Sequence, residues 1–95
     1  MKSTITDFKK NPVDFLRSCG YAFDRQTGEE WSCMRRLAGL DYPRFHAYIK
    51  LDGSSLVINL HLDQKKPSYG TNHAHSGEYD GEIIEREMER IRGRT

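Results

Sequence analysis

Residues 44–63 read RFHAYIKLDGSSLVINLHLD, and the fold follows from their alternation. Phe45, Ala47, Ile49 and Leu51 take every second position on one arm, and Leu56, Ile58, Leu60 and Leu62 do so on the other. A period of two marks strands that bury one face only. Gly53-Ser54 between them suits a two-residue turn with glycine at its first central position. Closing the hairpin there pairs Leu51 with Leu56, Ile49 with Ile58, Ala47 with Leu60 and Phe45 with Leu62. Every apolar side chain then meets another, and a slip of one residue would turn one arm inside out.

Working outward, a second alternation precedes the first. Tyr21 and Phe23 face Trp31 and Cys33 across Gln26-Thr27-Gly28, which reads as a three-residue loop with Gly28 left-handed. That register pairs Phe23 with Trp31 and Tyr21 with Cys33. Upstream lies a short helix: Asn11 caps it, Pro12 suits its first position, Asp14 complements the dipole, and Phe15, Leu16 and Cys19 form its apolar stripe. Gly20 stops it. Ile5 to Phe8 reads as a further turn. At the other end Asp80 caps a helix whose buried stripe is Ile84, Met88 and Ile91, with Ile83 beside it, a Glu82–Arg86 pair at i,i+4, and Gly93 as its end. Residues 64–77 read as a polar loop. The predicted fold is one α+β domain over 1–95: a four-stranded antiparallel sheet of two hairpins, with an N-terminal and a C-terminal helix packed on one face.

Composition narrows the function classes. Ninety-five residues hold one core. Fifteen Lys and Arg against fourteen Asp and Glu give a net charge of +1, so no global field draws nucleic acid or a membrane surface. No apolar run approaches the ~20 residues of a membrane helix, and no signal-peptide core is present. Two cysteines, Cys19 and Cys33, are too few for a disulfide framework, and the expected compartment is the cytoplasm. Cys33 alternates with Trp31 onto the core side and reads as a packed, inert thiol.

The hairpin register also says which side chains are left for work. With the leucines inward, Arg44, His46, Tyr48 and Lys50 share the outer face with Val57, Asn59, His61 and Asp63. His46 falls across from His61, Tyr48 from Asn59 and Arg44 from Asp63. The loop beyond adds Lys65, Lys66, Tyr69, His73 and His75, with Glu78 close behind. The first functional reading is a binding module that meets a protein or small ligand through Arg44, His46, Tyr48, Asn59, His61, Asp63, Lys65, Lys66 and Tyr69. A second is a zinc-type hydrolase or nuclease: His46, His61, Asp63, His73 and His75 are the residue types that hold divalent transition metals, and Glu78 could serve as base. Against it, no H-E-x-x-H or paired C-x-x-C occurs, and an exposed strand shows polar residues at every second position in any case. A third is weak nucleic-acid binding, by a stripe of Arg35, Arg36, Arg44, Lys50, Lys65 and Lys66 beside Tyr48 and Tyr69. No nucleophile elbow, phosphate loop or dinucleotide fingerprint is present.

Three stretches carry a resemblance: PRFH at 43–46, NLHLDQKK at 59–66 and AHSGEYDGE at 74–82. Together they resemble a pattern in short uncharacterised bacterial proteins, across roughly the second half of the chain. The resemblance implies a bacterial cytosolic protein of about this size. It implies no activity, ligand or catalytic residue.

Overall fold

A computed structural model describes residues 1–64 and 76–95, with 76–80 as helical backbone only. The elements run β1 (Lys2–Ile5), α1 (Pro12–Ser18), β2 (Ala22–Thr27), β3 (Glu30–Arg36), β4 (Arg44–Asp52), β5 (Ser55–Asp63) and α2 (Ser76–Arg92). The strands form one antiparallel sheet in the order β1-β5-β4-β3-β2.

The β4–β5 hairpin has the register its alternation predicts, from Arg44 opposite Asp63 to Leu51 opposite Leu56. Gly53 turns it at φ 61°, a left-handed angle that costs glycine nothing. Phe45, Ala47, Ile49, Leu56, Ile58 and Leu60 are all sealed on one face. They form a single cluster with Phe15, Leu16 and Cys19 of the α1 region and with Met88 and Ile91 of α2. Each fully buried Leu, Ile or Phe in it contributes ~1.5–3 kcal/mol. Both helices therefore cover the same face. Helix α1 starts as expected, with the Asn11 side chain accepting from the Asp14 amide at 3.0 Å.

Four expectations need correction. The sheet has five strands, not four: Lys2–Ile5 is strand β1, paired to β5, and the segment after it adds no helical turn. Only Ile5 of these four residues is buried, so they are too short and too polar to show an alternation. The first hairpin closes through a two-residue turn at Gly28-Glu29, with Thr27 opposite Glu30. A bulge at Asp24 then resets the register, so Phe23 faces Cys33 and Trp31 faces Gln26. Phe23 is 41% exposed, and Tyr21 lies ahead of β2. Helix α2 begins at Ser76 rather than near Asp80, which shortens the expected loop. Finally, Arg35 and Arg36 do not share a stripe, because neighbours on a strand point to opposite faces. Arg35 turns to the helix side, over the Phe45 ring and toward Glu87, while Arg36 pairs with Asp41 in the β3–β4 loop.

Glu87 ties α2 to the sheet. Its buried carboxylate accepts the Tyr21 hydroxyl at 2.6 Å and two Arg90 contacts at 2.8 and 2.9 Å, with Arg35 at 3.5 Å. Arg90 also donates to the Cys19 carbonyl, and Arg92 to Ser3 and to the Thr4 carbonyl. Burial alone would raise the Glu87 pKa; the hydrogen bonds from Arg90 and Tyr21 and the charges of Arg35 and Arg90 outweigh it and hold the carboxyl below its ordinary value. Burial, and then Glu87 itself, raises the Tyr21 phenol. Both cysteines are free and buried, and burial pushes the Cys33 thiol up to about 11, as an inert core thiol requires.

Candidate functional site

On the face away from the helices, the joined registers of β3, β4 and β5 set out three rows. Ser32, Tyr48 and Asn59 form one, Met34, His46 and His61 the next, and Arg36, Arg44 and Asp63 the third. The rows bring Arg44, His46, Tyr48, Asn59, His61 and Asp63 together, as the hairpin alternation predicts. Lys65, Lys66, Tyr69, His73 and His75 lie outside the described residues, as does the side chain of Glu78.

His46 is the centre of this face, and it is only 9% exposed. Its Nε2 lies 2.5 Å from the Ser32 hydroxyl, which in turn reaches Asp24 Oδ2 at 3.3 Å. Its Nδ1 has two neighbours at 3.4 Å, the Tyr48 hydroxyl and Asp63 Oδ2. Arg44 Nε holds that same carboxylate oxygen at 3.5 Å, and the Arg44 guanidinium lies over the Tyr42 ring. The Tyr48 ring stacks on His46, with centroids 4.3 Å apart, and meets His61 edge-on at 5.7 Å. Burial lowers the His46 pKa against the pull of Asp63, so the imidazole is neutral at pH 7.

A neutral imidazole has one N–H, and two proton orders fit these distances. In the first, Nε2–H donates to Ser32, Ser32 donates to Asp24, and Tyr48 donates to Nδ1. In the second, Ser32 donates to Nε2 and Nδ1–H donates to Asp63. Both orders satisfy the Ser32 side of the ring, and in both Nδ1 faces Tyr48 and Asp63. Ser32 and Asp24 hold the ring in place on its Nε2 side.

The side of Tyr48 and Asp63 opens to a cleft. Strand β1 reaches only as far as Leu60, where the Met1 carbonyl takes the Leu60 N–H at 2.7 Å. Beyond it, residues 61–63 of β5 have no strand on that edge among the described residues. The gap is a cleft of about 390 Å³, with His46, Tyr48, His61 and Asp63 as its polar walls and Met1, Leu60, Leu62 and Ile84 as its apolar ones. Ligand pockets run from ~300 to 1,000 Å³ with mainly apolar linings and a few fixed polar groups.

Among the described residues no group of three or more His, Cys, Asp or Glu stands close enough to hold a metal ion. His46 and Asp63 are in contact, whereas His61 packs its ring against Tyr48. Ser32 and Asp24 escaped the sequence reading. Ser32 alternates with Trp31 and Cys33, which places it on the outer face, but its meeting with His46 depends on a β3–β4 register that no local signal reveals. Asp24 joins them only because the β2 bulge puts it and Arg25 together opposite Ser32. Among the described residues no helix is long and apolar enough to cross a membrane. Compared with family models, curated proteins and solved structures, the chain matches none.

Proposed function

We propose that this domain is a ligand-binding module whose site is the cleft at the end of β5. One observation carries the reading: a polar cluster locked from behind by Ser32 and Asp24 opens onto the part of the sheet edge that no strand covers among the described residues. Polar groups held in fixed orientation beside an apolar wall recognise a ligand without first having to be ordered. The rings of Tyr48 and His61, at 78° to one another, offer one face and one edge to a flat group, and Asp63 with Arg44 offers charge at its rim. The occupant is a small, partly flat, polar-edged molecule or the equivalent part of a larger partner.

A fragment and nucleotide screen by amide chemical shift tests this. Binders should move the resonances of residues 46, 48, 60–63 and 84 and lose affinity at least tenfold in Tyr48→Ala and His61→Ala, with the melting temperature within a few degrees of wild type. Binders that map elsewhere, or the unfolding of both variants, would remove the reading.

A further inference from the structure

We propose that the cleft takes up an organic oxyanion together with a proton from solvent, the proton going to His46. The proposal rests on the cleft being the ligand site, and it adds the charge of the ligand and its linkage to pH.

A buried imidazole stands here between two carboxylates. Asp63 Oδ2 lies 3.4 Å from Nδ1, and Asp24 Oδ2 is reached from Nε2 through the Ser32 hydroxyl, at 2.5 and 3.3 Å. A neutral ring has one N–H and serves the two sides unequally, whichever nitrogen carries it. The imidazolium has two. It donates from Nε2 to Ser32, which donates on to Asp24, and from Nδ1 to Asp63, so a single arrangement satisfies both sides. Either neutral tautomer leads to that same protonated ring.

Charge and burial stand against the proton. Among the described residues, the charged and titratable groups around the ring are Asp24 on β2, Arg44 and Tyr48 on β4, and His61 and Asp63 on β5. The α-ammonium of Met1, which donates to the Leu60 carbonyl at 2.8 Å, belongs to a residue that also borders the cleft. Arg25 lies 3.7 Å from Asp24 and Arg44 lies 3.5 Å from Asp63, so each carboxylate already has a cation. Protonating His46 therefore leaves an unbalanced positive charge at the cleft wall. Burial opposes it more strongly than Asp63 favours it. An anion in the cleft supplies the counter-charge, in a partly enclosed place where solvent and salt screen it less.

Tyr48 says where the anion sits. Its hydroxyl lies 3.4 Å from Nδ1, and the residue lines the cleft. Once Nδ1 carries a proton it no longer accepts, and the hydroxyl has its own proton to give to an oxygen of the ligand. Met1, Leu60, Leu62 and Ile84 face an apolar body behind that oxygen. The ligand class is an apolar-bodied carboxylate or a similar oxyanion. Linkage makes the effect reciprocal: an anion that prefers the protonated ring raises the ring's affinity for its proton by the same factor.

Three probes of similar shape test this, titrated into the full chain by amide chemical shift from about pH 7 to about pH 5, the range in which a histidine changes charge. They are benzenesulfonate, which is charged throughout, benzoate, and neutral benzyl alcohol. Both anions should move the resonances of residues 46, 48 and 60–63 and bind at least about fivefold more tightly at the acid end, the low end of couplings between sites. The affinity of the alcohol should stay flat. With benzenesulfonate saturating, the His46 imidazole resonances should titrate at higher pH than without it. His46→Gln should flatten the anion curves, whereas His61→Gln, whatever its affinity, should keep their slope. Anion affinity that ignores pH, an equal slope for the alcohol or in His46→Gln, loss of the slope in His61→Gln, or no binding of either anion at the acid end would each overturn the proposal. If His46→Gln does not fold, the shift of the imidazole titration decides. Benzyl alcohol bound in the cleft, with the anions no tighter in acid, would end the proton linkage and leave the binding site standing.

Discussion

The two polar networks of this domain lie on opposite faces of one sheet, and they are saturated to different degrees. Glu87, beneath α2, is a charge surrounded by donors: Tyr21, Arg90 and Arg35 all point at it, and only one proton arrangement satisfies them. His46, on the outer face, has fewer hydrogen atoms than its neighbours could use, and two arrangements compete for them. A saturated network fixes a helix in place. An unsaturated one can exchange one proton arrangement for another beside a cleft. Burial is similar at the two centres, so proton count rather than depth separates the two networks.

The most direct way to break that contrast is Glu87→Ala. It strips the buried Tyr21 hydroxyl of its acceptor and leaves Arg90 and Arg35 facing a void, and chemical denaturation should show a loss of about 3 kcal/mol. Both arginines are about one-third exposed and can turn to water, which sets the figure at the low end for a broken buried pair. A loss below 1 kcal/mol would mean that α2 is held by Met88 and Ile91 alone. Ser32→Ala should cost about 2 kcal/mol, because it leaves His46 Nε2 buried without a partner. A neutral result there would show that water replaces the hydroxyl and that the outer network is loose.

The pH dependence of stability sharpens the same contrast, because the two centres titrate in different windows. Glu87 has a folded pKa below its unfolded one, so its contribution is complete above the ordinary glutamate range and is lost as pH falls through the folded value. His46 also has a folded pKa below its unfolded one. Above ~6.5 both states are neutral. As pH falls below that, the unfolded chain takes up a proton that the folded one refuses, and stability declines until the folded value is reached. Urea midpoints measured from pH 8 to pH 3 should therefore fall in two steps. His46→Gln should erase the upper step and Glu87→Gln the lower. A single step near pH 4 in the wild type would place His46 in contact with solvent.

The hairpin at 44–63 was legible because its signal is local: eight alternating apolar residues and one glycine fix the register, and the register fixes the outer face. What escaped has a common cause. Strand β1 is recognisable only by its partner, since Ile5, which pairs with Leu56, is the one buried residue of its four. The Asp24 bulge shows no sequence mark, yet it decides that Phe23 meets Cys33 and that Asp24 reaches Ser32. Half of the His46 network thus depends on contacts between strands that are distant in sequence. The six described residues of the expected binding face came from one hairpin; their support from Ser32 and Asp24 came from the other.

The smallest expected effect is also the most discriminating. His61 sits across from His46 in register, yet it is exposed and meets Tyr48 only by an edge. Removing it should change stability by under about 0.5 kcal/mol, the ordinary range for a surface strand position. On the proposed reading, His61 serves what enters the cleft and not the fold. If His61→Ala instead lowered the urea midpoint as much as Ser32→Ala does, the outer face would be a second structural network, and the contrast with Glu87 would vanish. A near-silent denaturation curve combined with lost ligand binding is the outcome that keeps stability on the helix side of the sheet and function on the other.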